Sequence, residues 1–129
     1  MSEKVLVIDD DQDFVDLLAE EMLYRDMDVF TAVSSEAAFK MLSADTFDVI
    51  VLSLMVSGKS GLDILKNIKR INPYPEIIIL TDNTTVEKGI KAMKLGAENL
   101  LNKSTEISIL AEKISRSLMK KMLFVEKNI

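Results

Sequence analysis

The stretch Val49-Ile50-Val51-Leu52-Ser53 is a continuous apolar run that ends in a polar residue, and this pattern recurs along the chain. Three further apolar runs end in polar side chains: Val5-Leu6-Val7-Ile8 before Asp9-Asp10-Asp11, Ile77-Ile78-Ile79-Leu80 before Thr81, and Leu100-Leu101 before Asn102-Lys103. Short runs of this kind are typical of parallel strands that are buried on both faces of a sheet. Because the ligand site of an open parallel sheet lies at the carboxyl ends of its strands, these polar residues are expected to meet in one place.

Strand-like and helical patterns alternate around these runs. The predicted strands cover residues 4–8, 28–32, 48–52, 76–80 and 98–101, and a helical pattern follows each of them. Repeated strand–helix units imply a parallel sheet with helices packed on both faces. Right-handed crossovers then favour a doubly wound sheet. The sequence therefore predicts an α/β fold.

Apolar residues spaced three and four apart define the inward face of most predicted helices. In chain order these faces are Phe14, Leu17, Leu18 and Met22; Ala37, Ala38, Met41 and Leu42; Leu62, Ile64, Leu65 and Ile68; and Ile107, Leu110, Ala111, Ile114 and Leu118. Local signals predict where the helices begin and end. Asp11 or Asp13 caps the first helix, and the third helix ends at Asn72-Pro73. The fourth helix opens with the capping box Thr84-Thr85-Val86-Glu87 and ends at Gly96, and the last helix begins near Thr105. Glycines and serines within residues 55–61 predict an irregular loop.

The composition excludes several kinds of function. The chain has 129 residues and a formal net charge of -5, with no cysteine and no histidine. An acidic excess argues against a general nucleic-acid binder, which needs a basic face to neutralise phosphates. Missing cysteines exclude disulfides and thiolate sites, and missing histidines remove both the commonest general base and phosphohistidine. No apolar run approaches the ~20 residues of a membrane span and no signal-peptide pattern is present, so we expect a cytoplasmic protein.

The length is typical of one domain. We expect residues 3–121 to form this domain, and residues 122–129 to extend the last helix or to be the stub of a linker. The tail residues Met122, Leu123, Phe124 and Val125 are too apolar for a solvated end. They are therefore expected to pack against another surface, for which a second copy of the chain is one candidate.

Taken together, these motifs resemble the receiver domain of two-component response regulators, from Val5 to about Ser117. Four segments resemble motifs of that family: Val7-Ile8-Asp9-Asp10-Asp11; Asp48-Val49-Ile50-Val51-Leu52-Ser53-Leu54-Met55 with Gly58 and Gly61; Ile79-Leu80-Thr81; and Ala92-Met93-Lys94-Leu95-Gly96-Ala97 with Lys103. The resemblance implies a flavodoxin-like five-stranded sheet of order 2-1-3-4-5. This agrees with the fold predicted from the pattern alone.

The resemblance also implies roles for individual residues. In that family a histidine kinase donates a phosphoryl group to an aspartate, and the matching position here is Ser53. Asp9, Asp10 and the backbone carbonyl of Met55 would be the Mg²⁺ ligands, since this ion favours carboxylates together with phosphate oxygens and waters. Thr81 and Lys103 would bind the phosphoryl oxygens, because phosphoryl transfer depends mostly on positioning and charge neutralisation.

Several positions depart from the family pattern. A serine hydroxyl needs a neighbouring base before it can attack phosphorus, whereas a carboxylate at this position would not. Ser53 also reduces the acidic pocket from three carboxylates to two, so we expect Mg²⁺ binding to be weak or absent. Leu100 replaces the aromatic switch residue, Ser104 replaces a proline after the lysine, and Ser57 replaces a loop proline.

These observations leave several functions open. The preferred hypothesis is a non-enzymatic pseudo-receiver that acts through protein–protein contacts, with Ser53 as a small buried polar residue and Lys103 neutralising Asp9 or Asp10. A second is an ordinary Mg²⁺-dependent receiver in which Ser53 is an engineered replacement of an aspartate. A third, of another class, is a small phosphatase-like hydrolase that uses the Asp9/Asp10 pair. A flavin-binding module is an analogy of fold alone.

The family resemblance also indicates partners. We expect a signalling protein such as a histidine kinase or an output protein, without direct contact with nucleic acid or membrane. A homodimer through helix 4, strand 5 and helix 5 is a further expectation. On that face Lys88, Lys91, Lys94 and Lys103 are expected to lie near the apolar tail.

Overall fold

The computed structural model describes residues 3–82 and 86–127. The strands, in chain order, are β1 (Lys4–Ile8), β2 (Asp28–Ala32), β3 (Val49–Ser53), β4 (Met55–Val56), β5 (Lys59–Ser60), β6 (Glu76–Thr81) and β7 (Asn99–Asn102). The helices are α1 (Gln12–Leu23), α2 (Ser35–Ala44), α3 (Gly61–Ile71), α4 (Val86–Lys94) and α5 (Ile107–Lys127).

The main sheet is parallel and has five strands in the order β2-β1-β3-β6-β7. Its fourth and fifth strands in the sequence prediction are β6 and β7, so the predicted order 2-1-3-4-5 is confirmed. The register pairs Ile8 with Leu52 and Ser53 with Leu80. The carboxyl ends of β1, β3 and β6 therefore lie side by side.

Apolar clusters cover both faces of the sheet, as the continuous apolar runs predicted. Alternate strand residues point to opposite faces. One set packs against α2, α3 and α4: Leu6, Ile8, Ile50, Leu52, Ile77 and Ile79. The other packs against α1 and α5: Val5, Val7, Val49, Val51, Ile78 and Leu80. The confirmed fold is thus a doubly wound α/β sheet with helices on both faces.

The inward face of α1 differs from the predicted one at two positions. Val15, which was not predicted, is buried with Leu18 and Met22, whereas Leu17 is 57% exposed. Successive helical residues are turned by about 100°, and the buried face is centred on Val15, Leu18 and Met22, so Leu17 lies outside it. The Asp11 carboxylate accepts a hydrogen bond from the Phe14 amide at 3.2 Å and is the N-cap, while Asp13 lies in the first turn.

The segment after β3 is more regular than predicted. β4 and β5 form a short antiparallel hairpin around Ser57 and Gly58, which have positive φ angles of 51° and 78°. The Gly61 amide donates to the Leu54 carbonyl at 2.7 Å, and a Cβ on Gly61 would lie 2.3 Å from the Ser53 carbonyl oxygen. Only a glycine permits this approach, which places the start of α3 against the end of β3.

Smaller differences concern the element ends. β3 begins at Val49, one residue later than predicted, and the Asp48 carboxylate accepts the Lys4 amide at 2.9 Å. The side chain of Asn102 accepts the Ser104 amide at 2.9 Å, and α5 begins only at Ile107. Thr84 and Thr85, which belong to the predicted capping box of the fourth helix, lie outside the described residues.

α5 carries the end of the chain away from the carboxyl end of the sheet. It is 21 residues long, which corresponds to about 30 Å at the usual helical rise. Leu123 lines a groove with Glu3 and Met27 near the amino end of β1, whereas Lys103 contacts Asp9 at the carboxyl end. The expectation that Lys103 lies near the apolar tail is therefore wrong. The division of the chain at residue 121 stays a prediction.

Across residues 3–82 and 86–127, no helix combines the length and the apolar character that a bilayer crossing requires.

Candidate functional site

The predicted polar residues converge on a small cavity at the carboxyl end of the sheet. It has a volume of about 160 Å³ and is lined by Asp10, Ser53, Leu54, Met55, Leu80, Thr81, Asp82 and Lys103. Asp9 lies behind it, fully buried. A larger groove of about 900 Å³ lies between α2 and α3, away from these residues. The strand ends, and not this larger groove, thus bring the candidate chemistry together.

Asp9 and Lys103 form the central ion pair of the site. The Lys103 ammonium nitrogen lies 3.0 Å from Oδ1 and 2.9 Å from Oδ2 of Asp9, which is 0% exposed. Oδ1 also accepts the Asp11 amide at 2.9 Å. In the described part of the chain no hydrogen-bond donor is aligned with Oδ2, so the ammonium balances its charge by electrostatic contact. A buried carboxylate is costly unless it is compensated in this way.

The Lys103 ammonium has further neighbours on α1. It lies 4.7 Å from the centroid of the Phe14 ring and 3.9 Å from Oδ2 of Asp11. A cation at this distance is attracted to the face of an aromatic ring. Lys103 is therefore held between the end of β1, the start of α1 and the end of β7. Sequence reasoning did not find the contribution of Phe14, because nothing in its spacing distinguishes it from other apolar residues of α1.

Asp10 is bound by the hairpin loop. Its Oδ2 accepts the backbone N–H of Ser57 at 2.8 Å, and the Ser57 hydroxyl donates to the Val33 carbonyl at 3.1 Å. A proline at position 57 would have neither this N–H nor a positive φ angle. The sequence comparison with the family pattern identified Ser57 only as a replacement of a proline. In the structure its N–H donates a hydrogen bond to Asp10 that a proline could not supply.

Ser53 ends β3 and turns toward the segment that follows it. Its hydroxyl donates to the backbone carbonyl of Met55 at 3.3 Å. This is the carbonyl that the resemblance implied as a metal ligand. The hydroxyl proton thus points to a backbone acceptor and not to a carboxylate, which is the group needed to activate a serine nucleophile.

Thr81 and Leu100 meet beneath α4. Thr81 is 5% exposed, and its hydroxyl lies 3.5 Å from the Leu101 carbonyl. A Cβ on Gly89 would lie 2.8 Å from Cδ1 of Leu100 and 2.9 Å from Cγ2 of Thr81. Leu100 therefore occupies space that the missing side chain of Gly89 leaves open. The sequence contained one signal for this contact, a glycine in the interior of a helix, which usually has a packing reason.

The donors present do not fit a Mg²⁺ site in this arrangement. Both oxygens of Asp9 contact Lys103, Oδ2 of Asp10 accepts from Ser57, and the Met55 carbonyl accepts from Ser53. Within residues 3–82 and 86–127 no group of three or more acidic, histidine or cysteine side chains is placed to hold a metal ion. The Lys103 ammonium occupies the position next to both oxygens of Asp9, so it would have to move before a Mg²⁺ ion could take Asp9 as a ligand.

A second ionic cluster lies at the opposite, amino end of the sheet. The Lys4 ammonium contacts the Asp45 carboxylate at 2.7 Å. The hydrogen bond from Lys4, and then the one from the Thr46 amide, holds the pKa of Asp45 below its ordinary value. The hydrogen bond with Asp45 in turn raises the pKa of Lys4. This cluster ties β1 to the loop after α2 and takes no part in the cavity.

Comparison with known proteins assigns the family. The model of the response regulator receiver domain matches residues 5–115, and the chain belongs to this family. Receiver domains are signalling modules that interact with histidine kinases and output domains, and they typically bind Mg²⁺ at the phosphorylation site.

Named relatives agree with this assignment. The response regulator SaeR of Staphylococcus aureus is 35% identical over 99 residues, which are 77% of this chain and 43% of SaeR. The regulatory protein VanR of Enterococcus faecium is 29% identical over 103 residues, 80% of this chain and 44% of VanR. A receiver domain from Clostridium thermocellum is 31% identical with a TM-score of 0.84, covering 95% of this chain and 98% of that one. This chain spans less than half the length of the two curated relatives.

Proposed function

We propose that this receiver domain is a non-enzymatic pseudo-receiver, which signals through protein–protein contacts without accepting a phosphoryl group. The observation that carries the proposal is the hydrogen bond from the Ser53 hydroxyl to the Met55 carbonyl. It directs the hydroxyl proton of the acceptor position to a group that cannot take it up. The chain also has no histidine that could act as the base.

The neighbouring carboxylates support the same conclusion. Either Asp9 or Asp10 would have to serve as a base for Ser53. Asp9 has both oxygens against the Lys103 ammonium, and Asp10 accepts from the Ser57 amide. Within the described residues, the Ser53 hydroxyl donates to the Met55 carbonyl and not to either carboxylate. The Lys103 ammonium also lies against both oxygens of Asp9, which a nucleophilic attack by Asp9 on a phosphate ester would need free, so the phosphatase-like alternative is not favoured.

Under this proposal Thr81 and Lys103 have structural roles in place of phosphoryl binding. Lys103 compensates a buried charge, and Thr81 and Leu100 both pack against Gly89. Mg²⁺ is bound weakly or not at all. The partner is a histidine kinase or an output protein in the cytoplasm, and neither nucleic acid nor membrane is contacted directly.

The contact surface in this proposal is the face of α4, β7 and α5, through which a homodimer would also form. Ile90 and Met93 on α4 and Ile109 on α5 are 51%, 41% and 39% exposed. Exposed apolar side chains of this size on neighbouring elements are a common feature of protein contact sites.

The test is intact mass spectrometry after incubation with acetyl phosphate and MgCl₂. We expect no mass increase for the native chain or for Ser53→Ala. An acyl phosphate, labile to acid and to base, would form on Ser53→Asp only if the rest of the site can still bind Mg²⁺ and the phosphoryl group. A phosphate on the native chain that is absent from Ser53→Ala would refute the proposal. Full, rapid phosphorylation of Ser53→Asp would favour the alternative in which serine is an engineered replacement.

A further inference from the structure

We propose that the Lys103 ammonium takes the place of a divalent metal ion beside Asp9 and Asp10. The ammonium compensates Asp9, and the Ser57 amide binds Asp10. The native fold and conformation are therefore independent of Mg²⁺. The inference deepens the proposed function and rests on it, because a working phosphoacceptor site would require the metal.

The position of the ammonium between the two oxygens of Asp9 is the first argument. The two nitrogen–oxygen distances are 3.0 and 2.9 Å, so the cation bridges the carboxylate instead of contacting one oxygen. Asp9 is fully buried. Removing one partner of a buried ion pair leaves an uncompensated charge, which makes such pairs hard to open.

The surroundings of Lys103 fix the ammonium in this position. Phe14 presents its ring at 4.7 Å and Asp11 presents Oδ2 at 3.9 Å. Lys103 is 28% exposed along its side chain, so part of the stem is also covered. A metal ion that approached Asp9 would have to displace the ammonium from three groups at once.

The second carboxylate is held by the backbone. The Ser57 amide donates to Asp10 from a residue with a φ angle of 51°. Non-glycine residues adopt this region only when the surroundings stabilise it. The bond to Asp10 thus belongs to the hairpin turn, and a metal ion bound through Oδ2 of Asp10 would compete with it.

The experiment compares thermal unfolding of the full chain with and without 10 mM MgCl₂. The native protein and the control Lys94→Met, which removes an exposed lysine at the end of α4, should show the same Tm in both conditions. Lys103→Met should lose roughly 10 °C without metal and regain a large part of that loss with MgCl₂. Lys103→Arg, which keeps the charge, should be less affected than Lys103→Met.

If Lys103→Met does not fold, a second measurement on the native protein tests whether a divalent ion binds at Asp9 and Asp10. Sub-stoichiometric Mn²⁺ is added to the native ¹⁵N-labelled protein, and line broadening of the Asp10, Asp11 and Ser57 amides is followed. Selective, saturable broadening would overturn the inference, as would a native Tm that rises with MgCl₂ or a Lys103→Met variant as stable as the native chain. Uniform or no broadening supports it.

The two proposals fail in different ways. A native protein that binds Mn²⁺ at these amides but gains no phosphate overturns the role of Lys103 and leaves the pseudo-receiver proposal standing. A native protein that gains phosphate on Ser53 overturns the proposed function whatever its metal affinity.

Discussion

The contact between Gly89 and Leu100 gives a sharp quantitative prediction. Replacing a glycine in a helix interior by alanine normally stabilises the helix by about 1 kcal/mol. Here the new Cβ would lie 2.8 and 3.1 Å from the two methyl carbons of Leu100 and 2.9 Å from Thr81, against ordinary contacts of 3.4–4 Å. Overpacking of this kind costs about 1–3 kcal/mol. We therefore expect Gly89→Ala to change the free energy of unfolding by between about zero and 2 kcal/mol in the destabilising direction.

Leu100→Ala provides the matched background, because it removes two of the three carbon atoms nearest to the new Cβ and leaves Cγ2 of Thr81. In that background Gly89→Ala should be less destabilising than in the native chain by about 1 kcal/mol or more. A coupling of this size is above the scatter of independent sites.

The assay is urea unfolding of the native chain, both single variants and the double variant, with midpoint and m-value fitted for each. Lys88→Ala, an exposed substitution in the same helix, serves as the control and should show no coupling with Leu100→Ala. Additivity of Gly89→Ala and Leu100→Ala within about 0.5 kcal/mol would refute the packing argument. If Gly89→Ala alone stabilises the chain by about 1 kcal/mol, the full difference in helix propensity, the packing argument is refuted as well.

Two further predictions concern the hairpin and the amino end of the sheet. Ser57→Gly keeps both the N–H to Asp10 and the positive φ angle and loses only the exposed hydroxyl bond to the Val33 carbonyl, so urea unfolding should place it within about 1 kcal/mol of the native chain. Ser57→Pro loses both the N–H and the positive φ angle and should cost about 2 kcal/mol or more. Equal stability of the two variants would contradict the described turn. Because the pKa of Asp45 is lowered in the folded chain, its contribution to stability is present above the ordinary carboxyl pKa of about 3.9 and is lost as the pH falls through the lowered value. Asp45→Asn should therefore flatten the loss of stability below about pH 4, and an unchanged acid limb would show that the Lys4 contact contributes nothing.

The sequence was sufficient to predict the fold because its signal is local and strong. Continuous runs such as Val49-Ile50-Val51-Leu52 have few alternatives to a strand buried on both faces. The position of a residue after such a run also determines its place in space. For that reason Asp10, Ser53 and Thr81 could be predicted to share one edge of the sheet before any coordinates were known.

Other features depend on contacts that no local pattern encodes. Leu17 satisfied a helical spacing and is nevertheless exposed, because a choice between adjacent residues is made by what packs against the helix. The hairpin of β4 and β5 depends on the left-handed conformation of Ser57, a residue type that rarely adopts it. The contact of Gly89 with Leu100 joins two elements, and only the assembled layers reveal which side chain fills the open space.

The ion pair of Asp9 and Lys103 also bears on the order in which the chain folds. Its partners are 94 residues apart in the sequence, and β1 and β7 lie in different halves of the sheet. Contacts of such separation form only after the entropy of closing the intervening loop has been overcome. We therefore expect the pair to form late, so that its loss should accelerate unfolding more than it slows folding. A partly folded chain would then have Asp9 without the Lys103 ammonium, because only the completed sheet brings the two residues together.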